Sequence, residues 1–184
     1  MNKILKRLTI GLAILAVVLF VAFQVLKTQT KKASPEDRIE FTQDGKSITI
    51  FYCQPSKKGR KIFGELVPYG KVWRTGANEA STFTTSHELN VGRQALEPGK
   101  YTLWTVPNEK HWTIIFNSKM YGWGVNIREE ALHEPEFDAL KLDVPVQTLD
   151  TPIEQFTIRI NEMPELGMDL SWGQTKVRLP MSWK

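Results

Sequence analysis

The densest group of residues able to do chemistry lies in "KVWRTGANEASTFTTS", residues 71–86. Trp73, Arg74, Asn78 and Glu79 surround a Gly-Ala pair there. An arginine fork can hold a carboxylate, a phosphate or sugar hydroxyls. Asn78 adds an amide, Glu79 adds an acceptor or a proton-transfer group, and Trp73 adds an apolar platform. Arg60 and Tyr69 precede this stretch in "CQPSKKGRKIFGELVPYG", residues 53–70. A second polar loop, "NSKMYGWGVN" (117–126), carries Tyr121 and Trp123 among glycines. Together Trp73, Arg74, Asn78, Glu79, Arg60, Tyr69 and Trp123 define a candidate ligand site for a glycan or small anion. The alternative is a structural network in which Arg74 pairs with Glu79, Asn78 caps a turn and the aromatics fill the core. A buried pair of that kind persists only if it is well satisfied.

Other chemistry is sparse. His87, His111 and His133 show no metal-ligand spacing, so neither metal nor cofactor is expected. There is no G-x-S-x-G elbow and no phosphate-cradling glycine loop. Cys53 is the one cysteine, which excludes an internal disulfide and reads as a buried thiol. A glycosidase would need two paired carboxylates, and Glu65, Glu79 and Glu88 offer no fixed pairing from sequence.

The elements that must position these groups are strands. "RIEFTQ" and "KSITIFYC" flank Asp44-Gly45, a two-residue hairpin signal. Ile48, Ile50 and Tyr52 then share a face. "YTLWTVP" (101–107) and "WTIIFN" (112–117) form a second pair, with Trp112, Ile114 and Phe116 on one face. "ALKLDVPV", "EQFTIRI", "MDLSW" and "TKVRLP" continue the period-two pattern, and "TFTTS" reads as a further strand. The interval 129–139 can hold one helical turn. About ten short strands with frequent turns imply an all-β antiparallel sandwich, jelly-roll or Ig-like, in residues 38–184, with a closed barrel as the alternative.

The N-terminus differs. "LTIGLAILAVVLFVAFQVL", residues 8–26, has no charge and would reach about 28 Å as a helix, near the thickness of a bilayer core. It exceeds a signal-peptide apolar region, and no clean A-x-A site follows. A single-pass anchor is expected at 8–26, after a basic tail at 1–7 and before a polar linker at 27–37. Three basic residues flank each side of the run, so charge barely sets orientation. The short tail favours a domain outside the cytoplasm, periplasmic or extracellular.

Residues 1–34 hold six of the 24 Lys and Arg and none of the 20 Asp and Glu, leaving 18 bases against 20 acids in the remainder. The basic pI therefore gives no argument for nucleic-acid binding.

The run "KKGRKIFGELVPYGKVWRTGANEASTFT" resembles the signature of the domain-of-unknown-function 2911 family. The likeness continues through "LEPGKYTLWTVPNEKHWTIIFN", Trp123-Gly124, "LKLDVP" and "EQFTI", covering about residues 38–182. It implies a bacterial, β-rich, membrane-anchored or extracytoplasmic domain and brings no activity or ligand with it. It marks Trp73 to Glu79 as the hallmark. This chain has Gln54 before Pro55, where the resemblance leads one to expect arginine. Three functions fit: a tethered binding domain, a hydrolase using Glu79 with Arg74 as electrostatic stabiliser, and a structural or assembly protein of the envelope.

Overall fold

A computed structural model describes residues 2–184. It contains two compact units, one ending at Ala33 and the other spanning Ser34–Lys184. The first is one helix, α1 (Lys3–Ala33). Its segment from Leu5 to Ala33 is long and apolar enough to cross a membrane. Residues 27–33, polar enough to read as linker, continue that helix, and the first strand begins inside the remaining linker range.

The second unit is all-β. Its strands are β1 (Glu36–Gln43), β2 (Lys46–Cys53), β3 (Thr82–Thr85), β4 (Leu89–Val91), β5 (Gln94–Leu96), β6 (Gly99–Pro107), β7 (His111–Asn117), β8 (Asp138–Asn161) and β9 (Gly167–Trp183). All pairings are antiparallel, in the order β1-β2-β3-β6-β7-β8-β9-β4-β5. Asp44 and Gly45 both take positive φ, 51° and 77°, and so make the tight β1–β2 turn. A short 3-10 turn occupies Pro135–Phe137, inside the interval where one helical turn was expected.

The C-terminal third departs from the reading as short strands. β8 and β9 are two long strands, irregular between Thr148 and Thr157. Asp150-Thr151-Pro152 and Gly173-Gln174 fall at bulges within the pair: Gly173, at φ 58°, lies opposite Ile153. Past this bend, the second half of β8 meets β2. Tyr52 Oη accepts the Ile158 N–H at 3.0 Å, and Ser56 bridges to Gln155. The sheet thus folds over itself in two layers around one core.

Alternation decides which side chains enter that core. Ile48, Ile50 and Tyr52 of β2, Phe83 of β3, Leu103 of β6 and Ile114 of β7 point inward. They meet Phe156, Ile158, Leu170, Trp172, Val177 and Leu179 of β8 and β9. The other face of β1, β2, β3 and β6 carries polar residues, among them Arg38, Thr49, Thr82, Thr84 and Lys100.

Candidate functional site

The hairpin register fixes the first part of the site. Gln43 pairs with Lys46, so counting back sets Glu40 opposite Thr49, Arg38 opposite Phe51 and Glu36 opposite Cys53. All six lie on the face away from Ile50 and Tyr52. The rows continue across the sheet. Phe51 neighbours Thr82, which neighbours Thr102; Thr49 neighbours Thr84, which neighbours Lys100. One row thus runs from Arg38 through Phe51 and Thr82 to Thr102, the other from Glu40 through Thr49 and Thr84 to Lys100, and Arg38 Nε donates to Glu40 Oε1 at 2.7 Å at their shared end.

Two loops wall this face. The first, residues 71–81, is held by a β-bridge between Trp73 and Thr105, with N–H to O distances of 2.7 and 2.9 Å. It then turns sharply. Thr75 (φ 55°), Gly76 (φ 155°) and Asn78 (φ 58°) all have positive φ. For a β-branched threonine this is a strained conformation, costing roughly 1–3 kcal/mol. Buried bonds hold it: Ser81 Oγ donates to Thr75 O at 2.7 Å, and the Thr75 and Thr105 hydroxyls meet at 3.2 Å. A β-carbon on Gly76 would come within 3.0 Å of Cys53 O, so glycine is needed where this loop crosses β2.

The second loop follows β7. Tyr121 packs edge-on against the buried Trp104, with ring centroids 5.2 Å apart, and Gly124 sits against Trp104, Ala80 and Arg74. The two loops are joined directly. Ala80 N–H donates to Gly122 O at 3.0 Å, and Arg74 Nη1 donates to Trp123 O at 3.2 Å.

Between these walls lies a cleft of about 470 Å³. Its sheet floor is Arg38, Thr49, Phe51, Thr82, Thr84 and Lys100; its wall is Glu79, Ala80, Tyr121 and Gly122. This volume suits a small ligand of the size of a few sugar rings or less. Hydroxyls, two cations, one carboxylate and two aromatic rings suit a polar ligand with apolar patches and negative charge.

The residues expected from sequence separate into groups. Glu79 lines the cleft. Arg74 stands behind it, half-buried, with Glu79, Cys53 and Glu129 within electrostatic reach. Burial lowers its guanidinium pKa, and the negative charge available from Glu129, Cys53 and Glu79 opposes that shift. Trp123 is exposed, and its carbonyl receives Arg74. Asn78 is buried and donates to Ser34 O at 3.2 Å, fixing the first residues of the domain. Trp73 points into the core. Its ring packs among Phe63, Trp112, Phe156 and Trp172, at centroid distances of 4.9 to 6.2 Å, and its N–H donates to Gly76 O. Arg60 donates to the carbonyls of Ser56 and Lys57, and Tyr69 lies over Gly64; neither lines the cleft.

Glu36, Cys53 and Glu79 form a second cluster. One donor atom from each lies within 4.8 Å of the others, and Cys53 Sγ is 3.6 Å from Glu79 Oε2. Two carboxylates and a thiol are ligand types for a divalent metal. The guanidinium of Arg74 supplies positive charge to the same spot and disfavours an added cation. His133, by contrast, is committed to Asp138 at 2.7 Å and packs on Trp104.

Sequence reading passed over Arg38, Thr49, Phe51, Thr82, Thr84 and Lys100, and it noted Tyr121 in the second polar loop without counting it among the ligand residues. A usable signal existed for the first three. The Asp44-Gly45 turn fixes the register, and period two then sets Arg38, Thr49 and Phe51 on one face with Glu36 and Cys53. Nothing local announces that Tyr121 roofs them.

A family model described as "Protein of unknown function (DUF2911)" matches residues 34–181. No curated protein and no solved structure matches the chain.

Proposed function

The chain belongs to the DUF2911 family, and from that premise we propose that it is a membrane-tethered binding domain. Its ligand is a small glycan carrying a carboxylate or phosphate, bound in the cleft on the outer face of β1, β2, β3 and β6. The observation that carries this is the make-up of the cleft: Arg38 and Lys100 on a floor of Thr49, Thr82 and Thr84, with Phe51 and Tyr121 as apolar surfaces. α1 is the tether, crossing the membrane through residues 8–26, with the short basic tail inside and the domain periplasmic or extracellular. The strained, over-bonded loop 73–81 supports the same reading, because it fixes Glu79 and Ala80 at the cleft wall. The test is a thermal-shift series on the purified protein with acidic and neutral oligosaccharides matched in length. Acidic members raise the midpoint and neutral ones do not; no shift with either removes the proposal.

One observation favours a second reading, a hydrolase. Glu79 both lines the cleft and lies beside the counter-charge of Arg74. A carboxylate so placed can exchange a proton with a bound ligand. In this reading Glu79→Gln leaves binding intact and abolishes product release from the bound glycan. Absence of any product from wild type leaves the binding domain alone.

A further inference from the structure

We propose that the hairpin at residues 123–132 is a lipid-docking element that seats the domain on the membrane surface. This rests on the reading of α1 as an anchor. The first observation is the tip itself. Val125 bridges to Ala131, Asn126 N–H donates to Glu130 O at 3.0 Å, and Glu129 N–H donates to Asn126 O at 3.0 Å. Asn126 Oδ1 accepts from Arg128 N–H at 2.8 Å and Glu130 N–H at 3.1 Å. Glu129 takes φ 62° and closes the turn. So firmly built a turn ordinarily carries proline or small polar residues in its centre. Here the centre is Ile127-Arg128, and Ile127 is fully exposed, at 102%. Trp123 and Leu132, at the two ends of the hairpin, are 42% and 45% exposed. An isoleucine held rigidly in water, flanked by a tryptophan and a leucine, gains only when apolar matter covers it.

The second observation selects the lipid surface as that cover. The uncharged run ends at Leu26, and α1 continues to Ala33. Those seven residues rise about 10 Å, roughly the depth of one headgroup layer. Ser34 therefore leaves the bilayer at its surface. Ser34 O is bonded to Asn78, and the same loop holds the hairpin through Ala80–Gly122 and Arg74–Trp123. The hairpin thus starts a few residues' width from where the chain meets lipid. Of the nearby acids, Glu134 is paired with Lys119 and Glu129 faces Arg74, while Glu130 accepts from the neutral Asn126 amide and keeps its charge. Arg128 stands beside Ile127, where a guanidinium can reach lipid phosphates.

The test uses the full chain in phospholipid nanodiscs, with an environment-sensitive fluorophore on Ile127→Cys or, as control, Asp44→Cys in the opposite turn of the β1–β2 hairpin. Wild type, whose Cys53 is wholly buried, is the labelling blank. Docking gives a blue shift and quenching by lipid-borne nitroxide at 127, loss of quenching by aqueous iodide there, and the reverse at 44. A further label on Arg128→Cys loses its lipid quenching when Ile127→Asp is added. That substitution touches no packed neighbour, so the fold survives it. Co-elution with nanodiscs, but iodide access at 127 equal to that at 44, overturns docking and leaves the anchor standing. Failure to co-elute overturns both.

Discussion

The Tyr52 hydroxyl is where the folded sheet closes, and Tyr52→Phe tests that closure. The side chain is wholly buried. Its oxygen accepts from Ile158 N–H at 3.0 Å and from Gln54 Nε2 at 2.9 Å, and its proton goes to Asp37 Oδ2 at 2.9 Å. Asp37 and Gln54 are half-buried and can turn to water; the Ile158 N–H cannot. Leaving one buried backbone donor unpaired costs about 1–3 kcal/mol, which is the loss expected at pH 7 in urea unfolding of soluble residues 34–184. Burial, the largest cause, together with the nearby Asp37 carboxylate, outweighs the Ile158 and Gln54 hydrogen bonds and pushes the phenol from its ordinary 10.0 up to about 12. The sign follows from linkage. The folded state keeps the proton while the unfolded chain releases it, so Tyr52's contribution is complete below pH 10 and falls as the pH rises toward 12. Two pH units correspond to roughly 2–3 kcal/mol. The stability gap between wild type and Tyr52→Phe should therefore shrink over that range. A gap under about 0.5 kcal/mol at pH 7, or one that stays constant to pH 12, would refute the closure.

Two further substitutions separate framework from site. Trp73→Ala empties the centre of four aromatic rings and should cost about 3–5 kcal/mol in urea unfolding; a small loss accompanied by lost ligand binding would make Trp73 a binding surface instead. Arg74→Ala removes the bond to Trp123 O and the counter-charge of Glu79 and Glu129, with an expected loss of about 1.5–3 kcal/mol. Faster amide exchange at the 122–132 loop should accompany it, and unchanged exchange would show that Arg74 does not hold that loop.

The inner face of the fold was legible because strand alternation is a local signal. Ile48, Ile50 and Tyr52, and Trp112, Ile114 and Phe116, are inward as their spacing requires. The continuity of β8 and β9 was not legible, since a proline or glycine at a bulge has the same composition as one at a turn. Trp73 illustrates a different difficulty. A tryptophan amid polar residues reads as a surface platform, yet the bridge to Thr105 turns its ring into the core. Glu79 was found by residue type, but the cleft beside it draws on six segments that meet only through long-range pairing. Arg38 and Phe51 could have been joined to it from the register of one hairpin. Lys100 and Tyr121 depend on β3 pairing with β6 and on the fold of the loop after β7.

The most direct test of the cleft is calorimetric titration of an acidic oligosaccharide into the full chain, into Arg38→Ala and into Lys100→Ala. Both side chains lie on the open face of the sheet, so neither substitution empties the core. Losing one charge-assisted contact should weaken binding about tenfold or more, with the melting midpoint of the unliganded protein unchanged. Wild-type affinity in both variants would contradict the assignment of the ligand to this face.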